Sequence, residues 1–108
     1  MFTTSNIIRQ SDIEAMTSCL KHIESVADNF DPDCVTEFDI IHNPEYCVFF
    51  DDHRKIRIPT DVELFEKRVA NLTIGAKESG ISKDVLDEAA KAIKRPVQHI
   101  IDHIWNEG

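Results

Sequence analysis

His99 and His103 stand four residues apart in "VQHIIDHIW". On a helix that spacing places two imidazoles on one face, a geometry that can chelate a metal ion. A zinc site needs a third ligand. The candidates His22, His42, His53, Cys19, Cys34 and Cys47 show no partner spacing of a metal motif, so the reading is two solvated histidines, no metal and no cofactor. Cys19 and His22 are three residues apart, close enough on a helix for a base to touch a thiol. All three cysteines fall on apolar positions, where buried structural thiols are expected. No glycine-rich phosphate loop, GxSxG or Walker motif is present, and the expectation is a protein that is not an enzyme.

A second kind of chemistry is electrostatic. The chain of 108 residues has 12 basic and 20 acidic side chains and a formal net charge of −8. From His22 through His53 there is no Lys or Arg. The same stretch holds Glu24, Asp28, Asp31, Asp33, Glu37, Asp39, Glu45, Asp51 and Asp52, a charge of −9. A shared negative surface attracts a basic partner and speeds encounter with it. The residues expected to form that surface are Asp31, Asp33, Glu37, Asp39, Asp51 and Asp52, with Tyr46 and Phe49 as apolar contacts beside them. The function expected is a small non-catalytic regulatory or inhibitory module that docks on a basic protein, with nucleic-acid mimicry as one form of it. The same charge repels phosphate backbones, so nucleic acid is an unfavourable partner.

Elements must position these residues. Ser11 and Glu14 have capping-box spacing, and Ile13, Met16, Leu20, Ile23, Ala27 and Phe30 follow at helical spacing. Pro32 ends that helix. The period then changes to two. "CVTEFDII" (34–41), "YCVFF" (46–50) and "KIRI" (55–58) read as three antiparallel strands, joined by turns at His42–Glu45 and Asp51–His53. The middle strand is apolar on both faces, which suggests a homodimer formed through the sheet. Thr60 and Glu63 form a second capping box. Phe65, Val69, Leu72 and Ala76 continue its stripe, and Gly75 weakens the helix. Gly80 stops it, Ser82 caps the next helix, and Pro96 suits the first position of the last. The fold predicted is a single α+β domain over residues 1–108, in the order α-β-β-β-α-α-α, with residues 1–10 as a frayed end.

Residues 83–105 carry an alternative. Ala90, Ile93 and Ile100 have the spacings of a helix-turn-helix, with Lys94-Arg95-Pro96 as the turn. Over about 20 residues this resembles the general helix-turn-helix pattern. The resemblance implies a DNA-binding regulator using Lys94, Arg95, Gln98 and His99. Lys94 replaces the usual turn glycine, and Asp102 opposes phosphate. "HIIDH" is similar to the H-x-x-E-H pattern of some zinc peptidases, with Asp102 in place of the glutamate.

Three cysteines without a CxxC fit a reducing compartment better than a disulfide framework. No signal peptide is recognisable, and no apolar run approaches the roughly 18 residues of a membrane span. A cytoplasmic location is expected.

Overall fold

A computed structural model of the protein describes residues 8–107. Its elements are α1 (Gln10–Asp28), a 3-10 turn at Pro32–Cys34, α2 (Glu37–His42), α3 (Asp61–Glu78), α4 (Lys83–Ala90) and α5 (Gln98–Glu107). The α+β prediction is therefore wrong: the described residues form a helical protein with no sheet. Of the stretch expected to fray, residues 1–7 lie outside the described residues, and Gln10 already belongs to α1.

The correction falls between residues 34 and 58. Here short-range hydrogen bonds override the two-residue period. Thr36 and Asp39 form a full capping box: the Asp39 amide donates to Thr36 Oγ1 at 3.2 Å, and the Thr36 amide donates to Asp39 Oδ2 at 3.0 Å. With Glu37 and Asp39 in the first turn, negative charge complements the helix dipole at the N-terminus. The first expected strand thus becomes α2. The other two make only one β-bridge, Phe50 to Ile56, flanked by bonds from the Asp51 amide to the Lys55 carbonyl and from the Arg57 amide to the Phe49 carbonyl. The turn between them is built by Asp51, whose Oδ1 accepts the His53 and Lys55 amides, and Arg54 takes a left-handed φ of 65°. One bridge is not a sheet, and the homodimer expected through a sheet loses its structural basis.

The helices outside this region follow their apolar stripes. Leu20, Ile23 and Ala27 of α1 meet Phe65, Val69 and Ala76 of α3, Leu86 and Ala89 of α4, then Val97, Ile100 and Ile101. Helix α3 packs on α1 and α5, and α4 packs on the same two. Full burial of each large aliphatic side chain contributes about 1.5–3 kcal/mol, so this cluster is the main source of stability. Thr60 caps α3 as its spacing predicts. That helix runs unbroken through Gly75, where nothing lies within 4 Å of a would-be Cβ. It ends before Gly80, at φ 83°. Ser82 caps α4. Pro96 precedes α5 rather than opening it, and the connection between the two helices spans 91–97 instead of a three-residue turn.

Candidate docking surface

The chain leaves α1 through Asn29, whose side-chain amide donates to the Ser25 carbonyl at 2.8 Å. Asp31 then caps the Pro32–Cys34 turn, accepting the Asp33 amide at 3.0 Å and the Cys34 thiol at 3.2 Å. That bond to the Asp31 carboxylate holds the Cys34 thiol above its ordinary range.

Helix α2 follows, and its period of 3.6 decides what is presented. Ile40 points inward and is 1% exposed, whereas Phe38 and Ile41, three residues apart, are 68% and 53% exposed. The Phe38 and His42 rings stack with centroids 4.2 Å apart. Beyond α2 the chain turns back, and Tyr46 meets Phe30 edge to face at 5.8 Å. Between α1 and this return lies a cleft of about 550 Å³, lined among others by Asn29, Asp31, Cys34, Asp39, Glu45 and Tyr46. Three carboxylates line it and no Lys or Arg does.

Of the residues expected to share an acidic face, Asp31, Asp39 and Tyr46 are brought into this one cleft. Asp33 and Glu37 are exposed on the elements that frame it. Asp51, Asp52 and Phe49 are elsewhere. Arg57 pairs with Glu63 and lies over the Phe49 ring at 5.6 Å. It is held above its ordinary range first by its hydrogen bonds to Glu63 and more weakly by Asp51 and Asp52. Phe49 lines a different cleft, of about 440 Å³, with Glu63, Glu66, Lys67, His99 and His103.

Two further acids of the cation-free stretch are engaged from the C-terminal side, Glu24 by backbone amides and Asp28 by a cation. Glu24 Oε2 accepts the backbone amides of Lys94 and Arg95 at 2.9 and 2.7 Å. Arg95 donates through Nε and Nη2 to Asp28 Oδ1 at 3.0 and 2.8 Å, and its Nη2 reaches Asp61 Oδ2 at 3.1 Å. Of the nine acids in the run, three line the cleft beside α2, and two are held by the connection before α5.

Lys94, Arg95, Gln98 and His99, the candidates for DNA contact, do surround one depression of about 460 Å³. Their donors are largely committed within the protein. The Arg95 guanidinium is engaged by two carboxylates, and Gln98 Nε2 donates to Asp87 at 2.7 Å and to Asp102 at 3.0 Å. His99 Nε2 lies 3.7 Å from Glu66. Lys94 alone keeps a side chain with no partner among the described residues.

His103 pairs with Glu107 at 3.4 Å rather than with His99, and among the described residues no group of three or more His, Cys, Asp or Glu is placed to hold a metal ion. Cys19 and Cys34 are exposed and Cys47 is half-buried, so the expectation of buried thiols fails. Cys19 sits on the polar side of α1, and nearby His22 instead lies 4.0 Å from Glu45. No helix among the described residues is long and apolar enough to cross a membrane.

Sequence reasoning missed Phe38, Ile41 and Glu45. The available signal was Thr36-x-x-Asp39, a capping-box spacing that makes Phe38 and Ile41 neighbours on one helix face. No family model matches the chain, and no curated protein or solved structure does.

Proposed function

We propose that the protein is a non-catalytic docking module that engages a basic protein partner through α2 and the cleft beside it. The observation that carries this reading is the pair Phe38 and Ile41, exposed together on a capped helix whose Asp39 lines a separate cleft with three carboxylates and no Lys or Arg. Interfaces take most of their affinity from a few apolar anchors ringed by polar groups. Charge around the anchors sets partner choice and encounter rate. A lysine or arginine beside an apolar patch on the partner complements this arrangement: the cation enters the cleft while Phe38 and Ile41 pack on the patch. The reading is preferred to a DNA-binding regulator because Arg95 and Gln98 already spend their donors on internal carboxylates.

Affinity capture from the organism of origin tests it, with wild type compared against Phe38→Ser/Ile41→Ser and, separately, Asp33→Lys/Glu45→Lys. The expected result is a prey with a basic surface that both variants lose and that elutes at about 0.5 M salt, where the screening length is only a few ångströms. A prey set shared unchanged by wild type and both variants overturns the reading.

A further inference from the structure

Three arginines are half-buried: Arg57, Arg68 and Arg95. Two of them meet carboxylates, Arg57 with Glu63 and Arg95 with Asp28 and Asp61. Arg68 makes no ion pair and no side-chain hydrogen bond among the described residues, and its Nε is buried without an acceptor. In a chain of net charge −8 that is an unexpected place for an uncompensated cation. A buried charged donor without a partner is costly, and native proteins nearly always supply one.

Arg68 lines a small pocket of about 180 Å³ with Ile23 of α1, Asn71 of α3, and Pro44 and Cys47 of the segment after α2. No carboxylate lines it. Every hydrogen-bonding side chain on its wall can donate: the Arg68 guanidinium, the Asn71 amide and the Cys47 thiol. The Asn71 Nδ2 donates only to Cys47 Sγ, at 3.7 Å, a weak bond that an oxygen acceptor would readily replace. Burial pushes the Cys47 thiol up while Arg68 and then Lys67 pull it down, so the Arg68 charge is felt inside the pocket. Since a water occupies about 30 Å³ in the liquid, the space suits a phosphate- or acetate-sized ion.

We propose that this pocket binds a small oxyanion, phosphate or a short carboxylate, held by the Arg68 guanidinium with the Asn71 amide as second donor. Planar forked donors match such oxygens in pairs, which favours them over chloride. The site shares no lining residue with the α2 cleft and stands independently of the docking reading.

The test is a ¹H–¹⁵N NMR titration of the full chain with sodium phosphate and with sodium acetate, each against sodium chloride at equal ionic strength. Saturable shifts centred on Cys47, Arg68 and Asn71 are expected, with a Kd of about 1–10 mM, as one charged, partly exposed contact gives. Saturation by phosphate or by acetate tells which oxyanion the pocket prefers. Arg68→Gln is expected to weaken binding at least about tenfold and Lys67→Gln less than about twofold, because only Arg68 lines the pocket. If Arg68→Gln does not fold, Asn71→Leu carries the test, with about fivefold weakening expected from loss of one donor. A linear response to both salts up to about 50 mM, or saturation that survives whichever of the two variants is folded, overturns the proposal.

Discussion

Arg95 and Asp28, 67 positions apart in the chain, are joined by two hydrogen bonds of 2.8 and 3.0 Å. The same guanidinium reaches Asp61 and lies 5.2 Å from the Phe65 ring centroid, so one side chain ties the end of α1, the start of α3 and the entry to α5. Removing it leaves two carboxylates facing each other without a cation. Arg95→Ala is expected to destabilise by about 2 kcal/mol, lowering Tm by about 10 °C. Lys94→Ala, whose side chain touches none of these groups, is expected to stay within about 0.5 kcal/mol. Urea unfolding of both variants checks this, and equal losses would refute the assignment.

Glu24 anchors the same connection from below, by accepting two adjacent backbone amides with one oxygen. Glu24→Ala orphans both donors and is expected to cost about 1–3 kcal/mol. Glu24→Gln keeps an acceptor and is expected to lose about half as much. Hydrogen exchange at the Lys94 and Arg95 amides is the direct readout, and both are expected to exchange faster in the alanine variant.

The Arg57–Glu63 pair predicts an acid limb of stability. Its hydrogen bonds to Arg57 first, then to the Thr60 amide, bring the Glu63 carboxyl from its ordinary 4.5 down to about 2. A carboxyl lowered by folding stabilises fully above the unfolded value. That contribution is lost as pH falls from about 4.5 through about 2. With 35% of the side chain exposed, solvent screening keeps it near about 1 kcal/mol. The urea midpoint of wild type is expected to fall more steeply across that window than that of Glu63→Gln. Parallel curves would refute the pairing.

How much of this was legible beforehand depends on which interaction was local and which was not. The stripe of α1, the Thr60 box and the Ser82 cap were all readable, because apolar period and capping chemistry agreed there. Ser11 misled: the cap position lies two residues earlier, at Arg9, which makes no side-chain cap bond. At 34–41 the two signals conflicted. Cys34, Phe38 and Ile40 alternate as a strand would, while Thr36 and Asp39 cap as a helix would, and the cap prevails because its bonds close within four residues and need no partner strand. The acidic surface was half legible. The charge run was plain, but the withdrawal of Glu24 and Asp28 from it depends on Arg95, which sequence proximity could not reveal.

Thr36 offers a separation of local from global stability. Thr36→Ala removes the oxygen that accepts the Asp39 amide and is expected to weaken α2 by about 1 kcal/mol. Because α2 contributes nothing to the main apolar cluster, amide exchange is expected to quicken across 37–42 while the global urea midpoint barely moves.

Phe38 and Leu20 make the complementary pair. Phe38→Ser, at a position 68% exposed, is expected to change stability by less than about 0.5 kcal/mol. Leu20→Ala, at a position with no exposure, is expected to cost about 3 kcal/mol. A large loss from Phe38→Ser would mean that α2 is structural rather than displayed.

Helices α1 and α3 touch directly, so residues 29–60 form an excursion that leaves the scaffold and returns to it. The entropy of closing such an excursion changes slowly with its length, by only about 0.6 kcal/mol for each doubling. Lengthening or shortening the exposed parts of that stretch therefore perturbs the supporting helices little, so long as Ile40, Pro59, the Arg57–Glu63 pair and the Thr60 cap are kept. On the docking reading proposed above, a lineage carrying this scaffold can exchange one recognition surface for another by insertion and drift in a single interval, while the bundle underneath goes on folding as before.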